Sequence, residues 1–220
     1  MPISTKRPPR KETVGAQYVC FNTMTEENEW TEAFEEMVEK TEVVKSVKVT
    51  ENAETGVVYG SGKVYDSDAD ISSVDVEVEV IAFPDDTLAK MRGDLIDEGG
   101  LILSGGKRKR PYFAYGKAVH MKGGKVRYDW YPKCQLTENT DEASTSEGKP
   151  SEQTDTIKIS AYPFNDDGDI SAKVSSGVNF PTGLTEEKWF AKPILTKGDL
   201  GAAIANTATQ SLKAASTKKE

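Results

Sequence analysis

Histidine and cysteine are almost absent from this chain. One histidine, His120, and two cysteines, Cys20 and Cys134, stand among 220 residues. A single histidine cannot build a two-histidine zinc site, and two cysteines cannot build a disulfide framework. Reduced thiols in a protein made in a cytosol are the simpler reading. A Ser/His/Asp triad needs only one histidine, but Ser160 and the other serines sit in no nucleophile motif. Aromatic residues make up 8% of the chain and hydrophobic residues 36%. That is too little to bury everything, so part of the chain is expected to lie outside a core. No apolar run approaches the ~20 residues of a membrane helix. Positive charge is the minority sign, with 28 Lys and Arg against 36 Asp and Glu and a net charge of −8. Such a chain should not bind DNA over its whole surface. Lys6, Arg7, Arg10 and Lys11 are followed by no apolar segment, so a secretory signal is not expected.

What the chain has in quantity is strand pattern. Val74-Asp75-Val76-Glu77-Val78-Glu79-Val80 alternates β-branched and acidic residues, which makes one apolar face and one negative face. Three carboxylates in a row repel one another, so the run suggests a surface where negative charge is wanted. Pro84 ends the ladder, and Asp85-Asp86-Thr87-Leu88-Ala89-Lys90-Met91 reads as a short helix over 85–92 with acids at its positive end. Strands are expected at 17–21, 43–50, 57–65, 72–82 and 153–163, and again at 170–174 after an Asn165-Asp166-Asp167-Gly168 turn. Residues 111–121 and 125–136 form a hairpin about Lys122-Gly123-Gly124, where Gly-Gly suits positive φ. Cys134 falls on the apolar face of that second strand and reads as core, not nucleophile. Trp30, Phe34, Met37 and Val38 recur at helical spacing, which predicts an amphipathic helix within 25–42. Residues 93–110 read as irregular and Gly-rich. Residues 137–152 hold almost no apolar side chain and read as a long functional loop. Residues 1–14 form an arm, 15–196 a β domain, and 197–220 a flexible or docking tail. The architecture expected is mainly β, an antiparallel sandwich with a flanking helix.

Site motifs fail one by one. Leu103-Ser104-Gly105-Gly106-Lys107 is like an ATPase signature segment, but no phosphate-binding G-x-x-x-x-G-K-[ST] loop accompanies it. Asp66, Asp68, Asp70 and Glu77 have calcium-loop spacing, yet Ile71 stands where the loop needs Gly. Asn165-Asp166-Asp167-Gly168-Asp169 is a better turn than metal site. No catalytic set, cofactor site or metal site emerges. Lys107-Arg108-Lys109-Arg110 could touch phosphates, but no aromatics interleave with it, so a solvated loop or a patch for acids on a neighbouring subunit is preferred.

From 57 to 190 the chain resembles the major tail tube proteins of long-tailed bacteriophages, closest to the family common in phages of Gram-positive bacteria. The resemblance is carried by Gly60-Ser61-Gly62-Lys63-Val64-Tyr65, by 76–86, by Pro111-Tyr112-Phe113-Ala114-Tyr115-Gly116, and by Tyr128-Asp129-Trp130-Tyr131-Pro132-Lys133-Cys134-Gln135-Leu136. It continues through 154–168 and Glu187-Lys188-Trp189-Phe190. The resemblance implies six copies in a ring, rings stacked into a tube, and inner sheets joined into an inter-subunit β-barrel around DNA. It implies partners in the tail tape-measure, tail terminator and distal tail proteins, passage of double-stranded DNA without specific binding, no membrane, and no enzyme activity. The place implied is the virion tail, after synthesis in the host cytoplasm. On this reading Asp75, Glu77 and Glu79 face the lumen. Lys107, Arg108, Lys109, Arg110, Trp189 and Phe190 are candidate inter-subunit contacts, with a core role for Trp189 the alternative. The rival functions are a β-sandwich module for carbohydrate or receptor, and a tube protein of a contractile tail or secretion system.

Overall fold

The computed structural model describes residues 7–25, 29–61, 63–105, 108–141 and 154–205. Strand takes 47% of the chain and helix 12%, so the protein is mainly β. The strands are β1 (Lys11–Phe21), β2 (Glu39–Thr41), β3 (Val44–Gly60), β4 (Lys63–Val80), β5 (Leu95–Ile96), β6 (Ile102–Leu103), β7 (Phe113–Met121), β8 (Lys125–Thr140), β9 (Asp155–Ala161) and β10 (Ala172–Ser175). The helices are α1 (Asp85–Arg92), α2 (Glu186–Trp189) and α3 (Lys197–Ala205).

One antiparallel sheet runs in the order β2-β1-β7-β8-β9-β4-β3, with β10 added along β8. β8 spans two halves of it. Residues 125–134 of β8 pair with β7, and residues 134–140 pair with β9. The sheet bends so that β3 packs back on β1. Between the halves lies the main core. Val74, Val76, Val78 and Val80 enter it from β4, Ile157 and Ile159 from β9, and Phe113, Tyr115, Tyr131 and Leu136 from β7 and β8. The β4 alternation therefore turns its valines inward, as period two demands once one face is buried.

Helix α1 closes this core with Met91 and Ala89. It stops where the 85–92 reading placed its end. Gly93 adopts a left-handed φ of 73°, and its N–H and that of Asp94 bond back to Lys90 and Ala89 carbonyls. A second core lies on the opposite face of β1, β7 and β8. Tyr18, Ala114, Ala118, Tyr128 and Trp130 meet Leu184, Trp189, Phe190 and Ile194 there, with Leu200 and Ile204 of α3 at its margin.

Four expectations need correction. Residues 29–38 hold no helix. Instead the Asn22 amide donates to the carbonyls of Thr31 and Ala33 at 2.7 and 2.8 Å and accepts from the Thr31 N–H at 3.1 Å. These bonds lay the segment across the end of β1, and Met37 is left 68% exposed. Tertiary hydrogen bonding here overrides a helical spacing. Next, the strands expected at 43–50, 57–65 and 72–82 are two long strands, β3 and β4. Residues 51–56, which separate the first two expected strands, continue β3 with a register shift at Asn52/Ala53, and residues 66–71, which separate the last two, continue β4. Third, residues 137–140 continue β8, so the loop begins later; 142–153 lie outside the described residues. Finally, 197–205 is helical. Thr196 and Asp199 cap it reciprocally, the Thr196 N–H donating to Asp199 Oδ2 at 2.8 Å and the Asp199 N–H to Thr196 Oγ1 at 3.2 Å. Smaller differences are that β1 takes in residues 11–14 of the expected arm, and that 93–110 contains the β5–β6 hairpin.

Candidate assembly surfaces

Asp75, Glu77 and Glu79 of β4 point away from the core, but they do not form the unbroken negative stripe that the strand alone suggests. Glu77 pairs across β9 with Lys158 and across β3 with Lys48. Lys158 also meets Glu138 of β8 at 2.6 Å, and Lys48 lies 3.8 Å from Glu77. One row across four strands thus reads Glu138, Lys158, Glu77, Lys48, with alternating sign. Asp75 instead accepts from Ser160 Oγ at 2.7 Å and Asn52 Nδ2 at 2.8 Å. These bonds favour its charged form and hold its carboxyl below the usual carboxylate range. Glu79 accepts from Ser46 Oγ at 3.1 Å. Among the described residues neither Asp75 nor Glu79 forms an ion pair. The outer edge of β3 has no strand partner among the described residues.

The basic cluster is partly engaged within the chain. Arg108 donates to the Leu103 carbonyl at 2.7 Å, and Arg110 to the Leu136 and Thr137 carbonyls at 2.6 and 2.8 Å. The two arginines therefore pin the β5–β6 hairpin and the start of the final stretch of β8. Lys107 lies outside the described residues. Lys109 stands exposed beside a cleft that Trp30, Tyr112 and Lys133 also line.

Trp189 and Phe190 are buried, at 1% and 2% exposure. The Phe190 ring stacks on Tyr18 with centroids 3.8 Å apart and meets Tyr128 and Trp130 edge-on at 5.5 and 5.3 Å. Trp130 Nε1 donates to the Trp189 carbonyl at 3.0 Å. Thr185 caps α2 by accepting from the Lys188 N–H, and this short turn delivers both rings to the sheet. In this chain they hold the C-terminal segment down, which is the core alternative for Trp189. Gly116 makes room for them, since a Cβ there would stand 2.8 Å from Phe190 and 2.9 Å from Trp130.

Sequence reasoning missed a buried ionic group. Asp129 is fully buried, with Oδ2 3.0 Å from Arg127 Nη2 and 3.4 Å from Lys117 Nζ. Burial pushes the Lys117 ammonium below its usual range, and Asp129 opposes that shift. The signal was available: Lys117 and Asp129 are direct cross-strand partners in the hairpin register that the Gly-Gly turn sets. Beside this group opens a pocket of about 320 Å³, lined by Lys11, Val14, Lys45, Val47, Val119 and Arg127 among others.

The remaining candidate chemistry is inert. Cys20 and Cys134 are buried free thiols, and burial pushes Cys20 up to about 12 and Cys134 higher still. Among the described residues no three His, Cys, Asp or Glu side chains cluster as a metal site would need. No helix there is long and apolar enough to cross a membrane.

No curated protein matches the chain. Among solved structures, a chain of the cryo-EM structure of the anti-feeding prophage (AFP) baseplate, 6-fold symmetrised, is similar over 78% of this chain and 97% of its own length. The identity is 9% and the TM-score 0.36, a distance at which the likeness says nothing of function. The family model described as phage tail tube protein matches residues 36–186, about two thirds of the sequence and every strand but β1, and the chain belongs to that family, a structural component of the phage tail.

Proposed function

We propose that this chain is the major tail protein of a long-tailed phage, six copies forming a ring and the rings stacking into the tube through which DNA leaves the virion. The observation that supports this most is the β3–β4 hairpin. β3 runs for 17 residues with no strand on its outer side among the described residues. At ~3.4 Å per residue that is an open edge of roughly 55 Å. So long an edge invites aggregation in a monomer and is removed when strands of neighbouring copies pair with it. A ring of copies joined in this way closes into a β-barrel.

The face carrying Asp75, Glu77 and Glu79 then lines the channel. Its partial neutralisation by Lys48 and Lys158 suits a conduit better than unbroken acid would. Asp75 and Glu79 keep phosphate off the wall, and the Glu77 row stays balanced within each chain. Such a lumen passes double-stranded DNA without specific binding. The tape-measure, terminator and distal tail proteins are the natural neighbours of such a tube, and synthesis in the host cytoplasm precedes its incorporation into the virion tail. Arg108, Lys109 and Arg110 remain candidates for contact with acids of a neighbouring copy, whereas Trp189 and Phe190 act from within. Negative-stain microscopy of the purified protein tests the reading: rings or tubes are expected, and a chain that stays monomeric at high concentration refutes it.

A further inference from the structure

The layer that carries Asp75, Glu77 and Glu79 has two open edges. Its strands are the last stretch of β8, then β9, β4 and β3, each antiparallel to the next. β3 has no strand on its outer side among the described residues. At the other end, β7 pairs with β8 only as far as Cys134, and β10 only over 127–130. Beyond Cys134, therefore, the side of β8 away from β9 also has no strand among the described residues. Arg110 covers that stretch as far as the Leu136 and Thr137 carbonyls, which leaves residues 138–140 open. Each step from β8 to β9, β4 and β3 reverses the chain direction, so β3 runs opposite to β8. An edge-to-edge junction between two copies is then antiparallel as well.

The outward side chains select what meets what at such a junction. Across the layer they form the rows Thr140-Thr156-Glu79-Ser46, Glu138-Lys158-Glu77-Lys48 and Gln135-Ser160-Asp75-Thr50. In the middle row Lys158 and Glu77 each have an opposite charge on both sides. Glu138 and Lys48 have one on a single side, because they are the two ends of the row. Both are exposed. Placing β3 of one copy beside β8 of the next makes each the missing neighbour of the other, and the alternation of sign runs on unbroken. In the same register Ser46 meets Thr140 and Thr50 meets Gln135, so no like charges face each other. On the inward side half-buried Val49 comes beside Leu136. Period two allows slips of two residues only, and a slip either way sets Glu138 against Ser46 or Thr50 instead. Opposite charges directly across a sheet stabilise it and like charges destabilise it, so the first register is preferred.

We infer that the outer edge of β3 pairs with residues 138–140 of β8 in a second copy, with Lys48 opposite Glu138 setting the register. This rests on the tube reading and names the two edges that meet within a ring and the charges that select them. Two different edges on opposite sides of one layer make a head-to-tail contact, which closes into a ring when the rotation allows. The bore of that ring carries a continuous belt of alternating Glu and Lys.

The test prepares K48E and E138K separately in the full chain, each checked for native circular dichroism. Either variant alone sets like charges against each other at every junction. It should need a protein concentration roughly fivefold higher, or more, to form rings or tubes. An equimolar mixture should assemble at the concentration that the unaltered chain needs, with the two variants alternating. The acidic β3 edge of K48E then meets the basic β8 edge of E138K, and the two unaltered edges meet each other. Effects inside each copy are the same alone and mixed, so recovery on mixing reports the junction. The variant K48C/E138C, oxidised after assembly, should give a ladder of disulfide-linked multimers on denaturing gels that neither K48C nor E138C gives. No recovery on mixing, no ladder, or either charge variant assembling as readily as the unaltered chain would overturn the pairing while leaving the tube reading intact. An unaltered chain that never assembles overturns the tube reading itself, and the pairing with it.

Discussion

Replacing Gly116 by Ala probes how the C-terminal segment is held to the sheet. The added methyl carbon would lie 2.8 Å from Phe190 Cε1 and 2.9 Å from Trp130 Cε3 and Cζ3. These distances are well inside van der Waals contact, and neither ring can retreat. Phe190 is stacked on Tyr18 at 3.8 Å, and Trp130 is tethered through Nε1 to the Trp189 carbonyl. Overpacking of this kind costs about 1–3 kcal/mol. Loss of a glycine from the unfolded chain returns about 0.4–1 kcal/mol, because position 116 has an ordinary strand backbone that Ala accepts. The net expectation is a destabilisation of about 1–2 kcal/mol. With a urea slope of ~2 kcal/mol/M, the unfolding midpoint should fall by roughly 0.5–1 M. Phe190→Leu removes the ring edge that the methyl strikes. G116A should therefore cost less in the F190L background, with a coupling of at least ~0.5 kcal/mol. An unchanged midpoint for G116A, or strict additivity with F190L, would refute the close packing of sheet and segment described above.

Other consequences can be checked directly. Cys20, with its thiol pushed up to about 12, and the deeper Cys134 should both resist iodoacetamide at pH 8 in the native chain and react fully in denaturant, as mass spectrometry would show. Asp75 has a lowered folded-state value, so its contribution to stability is complete above its unfolded value of ~3.9 and is lost as pH falls through the folded value. D75N should accordingly flatten the loss of stability below about pH 4, measured by urea midpoints across that range. D199A should cost about 0.5–2 kcal/mol through loss of the α3 cap, and speed hydrogen exchange in 197–205 first. D75K/E79K phage should assemble tails but eject DNA slowly in low salt, since cations facing the channel would hold phosphate; ejection at the unaltered rate and salt dependence would place this face elsewhere.

Legibility in the sequence followed the range of the interactions involved. α1 was readable to its last residue because Pro84, the Asp85-Asp86 pair and Gly93 are local signals that act within one turn. The inward valines of β4 were readable because period two leaves no alternative. The 29–38 segment was not, because its conformation is set by one distant amide, Asn22, and not by its own spacing. The alternating Glu138, Lys158, Glu77, Lys48 row was invisible for a related reason. A single strand shows only its own charges, and the lysines come from strands 29 and 81 residues away from Glu77. The α3 helix is hidden in a different way: Thr196-Lys197-Gly198-Asp199 is a capping box in plain view, obscured by the Ala, Thr, Ser and Lys composition around it.

The sixteen residues of β8 belong to both halves of the bent sheet, and at Cys134 one residue pairs with Phe113 on one side and Ala161 on the other. No hinge can open between the halves without tearing that strand from one of them, so both cores should melt in a single transition. A subunit built this way is stiff. In the tube proposed above, bending is then taken up between subunits and not within them, and each subunit keeps its shape throughout.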